Sequence, residues 1–315
     1  MKELVNKVAL ITGASNGIGK ATAERFVKEG AKVIIADHNI ERAEKLASSL
    51  RDNQFHAEAV MFEASDLRSA TKAVDKALEF FGSIDCIVNN VGGSNLSKDL
   101  NAGDLDIKYF DEVMHTNLRS MIATVQSAIP YMKEKKEGTI INVASIGGIL
   151  GDFRGTLYGI SKAGVINLTR YIATQYGKYG IRCNGVAPGL VLTAAAIENL
   201  TQEDRDTFLK YNSLPYAGKP EDIANFVLYS NAIILINGSE PSNVISNTVN
   251  VFQGAVAAKV AGVPHYWLIH EFPEKEFAYY LDKCDFISEF STEIFSVSGS
   301  RKPQAYSRMS RFKTM

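Results

Sequence analysis

Tyr158 and Lys162 stand four residues apart in a stretch of helical periodicity, so both side chains leave one helix face about one turn apart. A tyrosine has a reference pKa of about 10, and a fixed ammonium nearby favours the phenolate, bringing the group toward working pH as a proton donor or acceptor. Tyr158 is therefore the candidate general acid/base. Ser145 closes an apolar run and can donate a hydrogen bond to an oxygen on which charge develops. Asn117, on the preceding helix, can hold a water that links Lys162 to solvent. Taken singly these residues are ordinary: a Tyr-x-x-x-Lys pair arises by chance in many helices, and a serine at a strand end is usually a turn former.

A second constellation lies near the N-terminus. The apolar run Val8–Thr12 leads into Gly13-Ala14-Ser15-Asn16-Gly17-Ile18-Gly19 and then into a helix. Glycines at that turn let the backbone approach a pyrophosphate, whose charge the backbone N–H groups and the helix dipole receive. Gly13, Ser15, Asn16, Gly17, Ile18 and Gly19 are thus candidate cofactor contacts. The Gly-x-x-x-Gly-x-Gly spacing is not the commoner dinucleotide fingerprint, so the strand-before, helix-after context carries the assignment. Asp37 ends the second strand, where a carboxylate accepts hydrogen bonds from the adenosine ribose and repels a 2′-phosphate. His38 and Asn39 follow with no adjacent arginine, which favours NAD(H) over NADP(H). The structural alternative is that Asp37 caps the next helix. Asp66, followed by Leu67, has the same two readings: a hold on the adenine amino group, or the N-cap of the helix that follows.

These groups need a scaffold. Short β-branched runs at Val8–Thr12, Val33–Ala36, Ala59–Phe62, Ile84–Val88, Gly138–Val143 and Arg182–Val186 alternate with amphipathic helices at Gly19–Glu29, Glu41–Arg51, Ser69–Phe81, Phe110–Lys133 and about Thr156–Tyr179. Such alternation predicts an α/β fold with a six-stranded, doubly wound parallel sheet, because each right-handed crossover lays its helix back on the sheet. The mixed segment 190–216 follows the carboxyl end of a strand, where open α/β sheets bind ligands, and is expected to form a substrate lid. Lys219-Pro220-Glu221-Asp222 then opens another helix.

With the glycine turn, Asp37, Asn89-Asn90-Val91-Gly92, Asn117, Ser145, Tyr158, Lys162 and Pro188-Gly189 in this order, the chain resembles the short-chain dehydrogenase/reductase (SDR) family from Lys7 to about Ser230. Val91 stands where that family commonly has alanine. The resemblance implies a Rossmann-type, SDR fold and an NAD(P)-dependent oxidoreductase, transferring hydride between NAD(H) and a secondary alcohol or ketone. It also implies that Asn90 and Gly92 line the adenosine side, that Lys162 bonds the nicotinamide ribose, that Pro188, Gly189 and Val191 border the cofactor, and that Thr193 contacts the carboxamide. Homo-oligomers, dimers or tetramers, are the family's usual assembly. The stretches Tyr158–Val165, Gln175–Asn184 and Pro188-Gly189-Leu190 look like clostridial hydroxysteroid dehydrogenases acting on bile acids. They also fit 3-oxoacyl carrier-protein reductases and sugar-alcohol dehydrogenases, and an inactive cofactor-binding fusion product is the alternative of another class.

Composition is consistent with a small-molecule enzyme. A net charge of −1 with scattered basic residues offers no footprint for nucleic acid or anionic membrane. Three cysteines without CxxC spacing signal neither a disulfide framework nor a thiolate metal site, and the absence of a leader or a long apolar run points to the cytoplasm. At 315 residues the chain exceeds one such domain, and its composition changes after Ser230. An SDR domain with its lid is expected over 1–230, an atypical segment over 231–300 and a basic tail over 301–315. Within the extension, one reading aligns Val244–Gln253 with the family's last strand. Another finds that Asn247–Glu289 resembles a fragment of the N-terminal domain of family 4 glycosyltransferases, as a joined or rearranged reading frame would produce. His265, His270 and Glu271 lack the helical spacing of a zinc motif and are read as ordinary residues, with no metal.

Overall fold

A computed structural model describes residues 4–211 and 216–232, together with the backbone of four short strands further on. The chain divides into two units, Met1–Gly238 and Ser239–Met315.

The first unit holds a six-stranded, wholly parallel sheet with β1 at Val8–Thr12, β2 at Lys32–Asp37, β3 at Ala57–Met61, β4 at Cys86–Asn89, β5 at Gly138–Val143 and β6 at Ile181–Val186. Its order is β3-β2-β1-β4-β5-β6. All five residues of β1 are buried, as expected of a central strand covered on both faces. Alternate residues feed separate layers. Ala9 and Ile11 join a cluster with Phe26, Val33, Ile35 and Leu46, while Val8 and Leu10 join one with Val74, Ile129, Met132 and Ile140. Helices α1 (Gly17–Lys28) and α2 (Ile40–Asp52) cover the first face, and α3 (Leu67–Phe81), α5 (Ser120–Lys135) and α6 (Thr156–Tyr176) the second. The sheet order reverses direction between β1 and β4, and ligands of open α/β sheets bind beyond the carboxyl ends of strands at such a point.

One predicted helix is two. Phe110–Met114 (α4) and α5 are joined by a π-turn, His115–Arg119, whose extra residue carries Asn117 into the interior. Single π-turns of this kind recur at functional sites. After β6, α7 (Ala194–Asn199) and α8 (Gln202–Tyr211) occupy the segment expected to form a lid, and a parallel bridge joins Val191 to Gly218. Helix α9 (Pro220–Ala232) returns to α1, where Arg25 Nε donates to Asn225 Oδ1 at 2.9 Å.

The second unit contains β7 (Val244–Ser246), β8 (His265–Ile269), β9 (Glu293–Ser296) and β10 (Phe312–Thr314), all parallel in the order β10-β9-β8-β7. Of the strand expected at Val244–Gln253, Val244–Ser246 form β7 and pair with β8, and residues 247–253 lie outside the described residues. Partner choice is set by tertiary context, which a short β-branched run does not encode. His270, Glu271 and, apart from β8, the segment Asn247–Glu289 lie outside the described residues.

Candidate active site

A cleft of about 2190 Å³ opens over the carboxyl ends of the strands, well beyond the roughly 300–1,000 Å³ of a single-ligand pocket. It therefore has room for two ligands side by side.

Its first half is built by β1, β2 and β4. Gly13 and Gly17 have φ of +64° and +52°, a region that favours glycine. A Cβ on Gly19 would come within 2.7 Å of Asn90 Nδ2, so Gly19 sits beneath the turn rather than in the cleft lining. Asn16 caps α1 by accepting from Gly17 N at 2.8 Å. Asn90 Nδ2 donates to the carbonyls of Thr12 and Gly13 at 3.1 and 3.0 Å, tying the end of β4 to the glycine turn. Asp37 is only 4% exposed yet lines the cleft. Its carboxylate accepts from Ser15 N at 2.9 Å and Asn39 N at 3.0 Å. Asn39, not Asp37, caps α2 by accepting from Arg42 N at 2.9 Å, so the capping alternative for Asp37 does not hold. Ser15 Oγ is buried with no partner among the described residues; such an orphaned hydroxyl is costly unless a ligand satisfies it. Asp66, by contrast, caps α3 through Arg68 N at 3.0 Å, and Arg68 holds its carboxyl below the usual range. Neither Asp66 nor Leu67 is among the residues lining the cleft.

The second half centres on α6. Lys162 is 2% exposed and donates to Val143 O at 2.8 Å; burial brings its pKa down to about 8. Tyr158 lines the cleft beside Ser145. Burial pushes the Tyr158 phenol up, and its hydrogen bond with Ser145 opposes this without reversing it. The expected lowering by the Lys162 ammonium does not emerge, since Nζ lies 5.7 Å from the Tyr158 ring centroid and is engaged by the Val143 carbonyl. Ser145 Oγ also accepts from Gly147 N at 3.1 Å. A Cβ on Gly92 would lie 2.7 Å from Lys162 Nζ, so that position must stay bare for the lysine to pass.

Asn117 is fully buried and does not line the cleft. Its Oδ1 accepts from Gly93 N at 2.9 Å and its Nδ2 donates to Ser161 Oγ at 2.9 Å. Ser161 Oγ donates in turn to Tyr158 O at 2.7 Å. Both amide atoms are thus committed to a brace between the Gly92-Gly93 loop and the helix that carries Tyr158. Pro188 O accepts from Ile146 N at 3.0 Å, Gly189 and Val191 border the cleft, and Thr193 caps α7 by accepting from Ala196 N at 3.1 Å.

One residue at this site escaped the sequence reading. Asp99, with no exposure, accepts from Leu157 N at 2.8 Å and Tyr158 N at 2.9 Å. It therefore caps α6, whose adjacent residue Gly155 has φ +78° and no side chain to do so. Capping signals are sought next to the helix in sequence; this one comes from a loop some sixty positions earlier. The wall segment Ile146–Arg154 and Thr207 and Phe208 of α8 also line the cleft.

The family model for short chain dehydrogenases matches residues 7–204. A 7alpha-hydroxysteroid dehydrogenase of Bacteroides fragilis is 46% identical over 256 residues, 81% of this chain and 96% of that protein. A match over that share of the chain runs past Ser230, so the likeness does not stop where the composition changes. A 3-oxoacyl-acyl-carrier-protein reductase of Thermotoga maritima is 34% identical over 80% of this chain and 99% of its own length. Among solved structures, a 7 alpha-hydroxysteroid dehydrogenase complexed with NADH and 7-oxo glycochenodeoxycholic acid superposes with a TM-score of 0.68 at 30% identity, over 72% of this chain and 88% of that one.

Proposed function

The chain belongs to the short-chain dehydrogenase family, an oxidoreductase acting on CH–OH groups, and on that premise we propose that it moves hydride between NAD(H) and a secondary hydroxyl or keto group of a bile-acid steroid. The observation that carries the reading is the convergence of Ser145, Tyr158 and Lys162 on the same cleft as the glycine turn and Asp37. It occurs in a chain 46% identical to a 7alpha-hydroxysteroid dehydrogenase.

The residues present fit a nicotinamide dinucleotide. Ser15 Oγ offers an unpartnered donor at the glycine turn, and Asp37 presents a carboxylate for the ribose hydroxyls that a 2′-phosphate would meet as a like charge. Gly13, Ser15, Asn16, Gly17, Ile18, Asn90, Gly92, Pro188, Gly189, Val191 and Thr193 would border it. When bound, the cofactor would supply hydride-transfer chemistry to a carbon that bears the reacting oxygen. Tyr158 holds the proton: with its pKa raised by burial it is protonated at neutral pH and ready to donate to an oxygen gaining charge. Ser145 polarises the same oxygen. Ser145 also opposes the rise in the Tyr158 pKa, which eases the opposite transfer, while Lys162, charged below about pH 8, would bond the nicotinamide ribose. Asn117 holds the loop and helix that align them.

Among the described residues no helix is long and apolar enough to cross a membrane. A cytoplasmic setting belongs to the proposal and is supported by cysteines that lack the spacing of a disulfide framework, and exposed Tyr131, Ile160 and Tyr171 on α5 and α6 support self-association into dimers or tetramers.

Absorbance at the reduced-nicotinamide band tests the reading, using the full chain, NAD or NADP, and a panel of 7-hydroxy bile acids, β-ketoacyl thioesters and sugar alcohols. NAD-linked turnover of the bile acids is expected. Turnover confined to thioesters or sugars would overturn the substrate, and silence with NADH still bound would overturn the activity.

A further inference from the structure

Beyond Tyr158 the cleft is walled by apolar side chains, among them Ile146, Ile149, Leu150 and Phe153 from the segment after β5 and Phe208 from α8. One guanidinium interrupts this wall. Arg154 lines the cleft, and its side chain is 28% exposed. Of the other described cationic residues lining the cleft, Lys20, His38, Arg42 and Lys45 belong to the Asp37 end and Lys162 to the reaction centre.

Arg154 Nη2 pairs with Asp204 Oδ2 on α8 at 2.5 Å, and its guanidinium lies 5.7 Å from the ring centroid of Phe153. Phe153 in turn meets Phe208 at 5.7 Å between centroids. Arg154 makes no other hydrogen bond or ion pair among the described residues. A guanidinium carries five N–H donors, so most of those on this cleft-lining side chain have no acceptor among the described residues. Asp204 is independently satisfied by Thr201 N at 2.9 Å and Thr201 Oγ1 at 2.8 Å, so sharing Arg154 with another anion does not strand it.

Resting on the steroid reading above, we propose that Arg154 is the specificity residue for an anionic substrate: it binds the terminal carboxylate or sulfonate of a molecule whose flat apolar body lies along the wall. Asp204 orients the guanidinium and partly screens it until that anion arrives. The planar fork suits a carboxylate bidentately, which an ammonium cannot reproduce. A pure lid latch, the structural alternative, would act on charged and neutral substrates alike.

The test compares kcat/KM for a 7-hydroxy bile acid and its methyl ester in the wild type, Arg154→Met, Arg154→Lys and Asp204→Asn, with NADH binding as the check that each variant is folded. The wild type should favour the acid. Arg154→Met should lose roughly tenfold on the acid through KM, a typical loss for one charge-assisted contact, and change less than about twofold on the ester. Arg154→Lys should fall between. Asp204→Asn, which removes the competing carboxylate, should raise the acid-to-ester ratio. An equal loss on acid and ester in Arg154→Met, or a wild type indifferent to the charge, would overturn the proposal and leave the steroid reading standing. If the wild type turns over neither compound, the steroid reading falls and this proposal with it.

Discussion

Tyr158 and Lys162 are moved by burial in opposite directions, the phenol up and the ammonium down to about 8. Two predictions belong at this scale. Tyr158→Phe removes the proton donor and little else, so kcat should fall on the order of 10²–10⁴-fold, the usual share of general acid–base catalysis, with NADH affinity within about twofold by fluorescence titration. For Lys162, the unfolded chain binds a proton up to about pH 10.5 while the folded protein releases it near 8. Between these values the unfolded state holds more protons, so this group makes stability rise with pH across that window and contributes no slope below it. The whole rise is on the order of 3 kcal/mol. Urea midpoints of cofactor-free protein from pH 7.5 to 10.5 should show it as a difference between wild type and Lys162→Met; parallel curves would mean that the lysine is not desolvated. Residue types and spacing sufficed to name Tyr158, Lys162, Ser145 and Asp37 as candidates, because each is defined by what lies within a few positions of it.

At the scale of elements, α6 depends on a side chain it does not contain. The carboxylate of Asp99 takes the N–H groups of Leu157 and Tyr158, the second and third residues of the helix. Asp99→Ala leaves both buried without an acceptor, which costs about 1–3 kcal/mol; a drop in melting temperature of several degrees together with a lower kcat is expected. Asp99→Asn, which can accept only one of the two bonds well, should be intermediate. A stable, fully active Asp99→Ala protein would show that the helix start is fixed by other contacts. The same non-locality explains Asn117. Its place on a helix was legible, but the π-turn that buries it and its bonds to Gly93 and Ser161 join three segments far apart in the chain. Asp66 shows the converse: the local capping reading prevailed in the structure, because Arg68 two positions on supplies the partner.

The whole molecule consists of two compact units, of which Met1–Gly238 contains the entire cleft. NADH at about one hundred times its dissociation constant should stabilise that unit by about 2.7 kcal/mol. A melting experiment should then show one transition shifted upward by roughly 5–10 °C, while any transition belonging to Ser239–Met315 stays in place. A uniform shift of a single transition would instead mean that the chain unfolds as one cooperative body.

Periodicity determined the six strands and most of their helices within a residue or two, because burial on both faces of a parallel sheet writes itself into continuous apolar runs. Spacing likewise determined the glycine turn, Asp37 and the Tyr158–Lys162 pair. Tertiary structure alone decided which side chains close the site: Asp99 on the start of α6, Asn117 behind the Gly92-Gly93 loop, and Arg154 against Asp204 on α8. It also decided that β7 pairs with β8. The division has one physical reason. Local patterns report how a segment buries its own apolar face, whereas the partner of a buried charge or amide is whatever polar group the folded chain brings within about 3 Å, and nothing in the neighbouring residues names it.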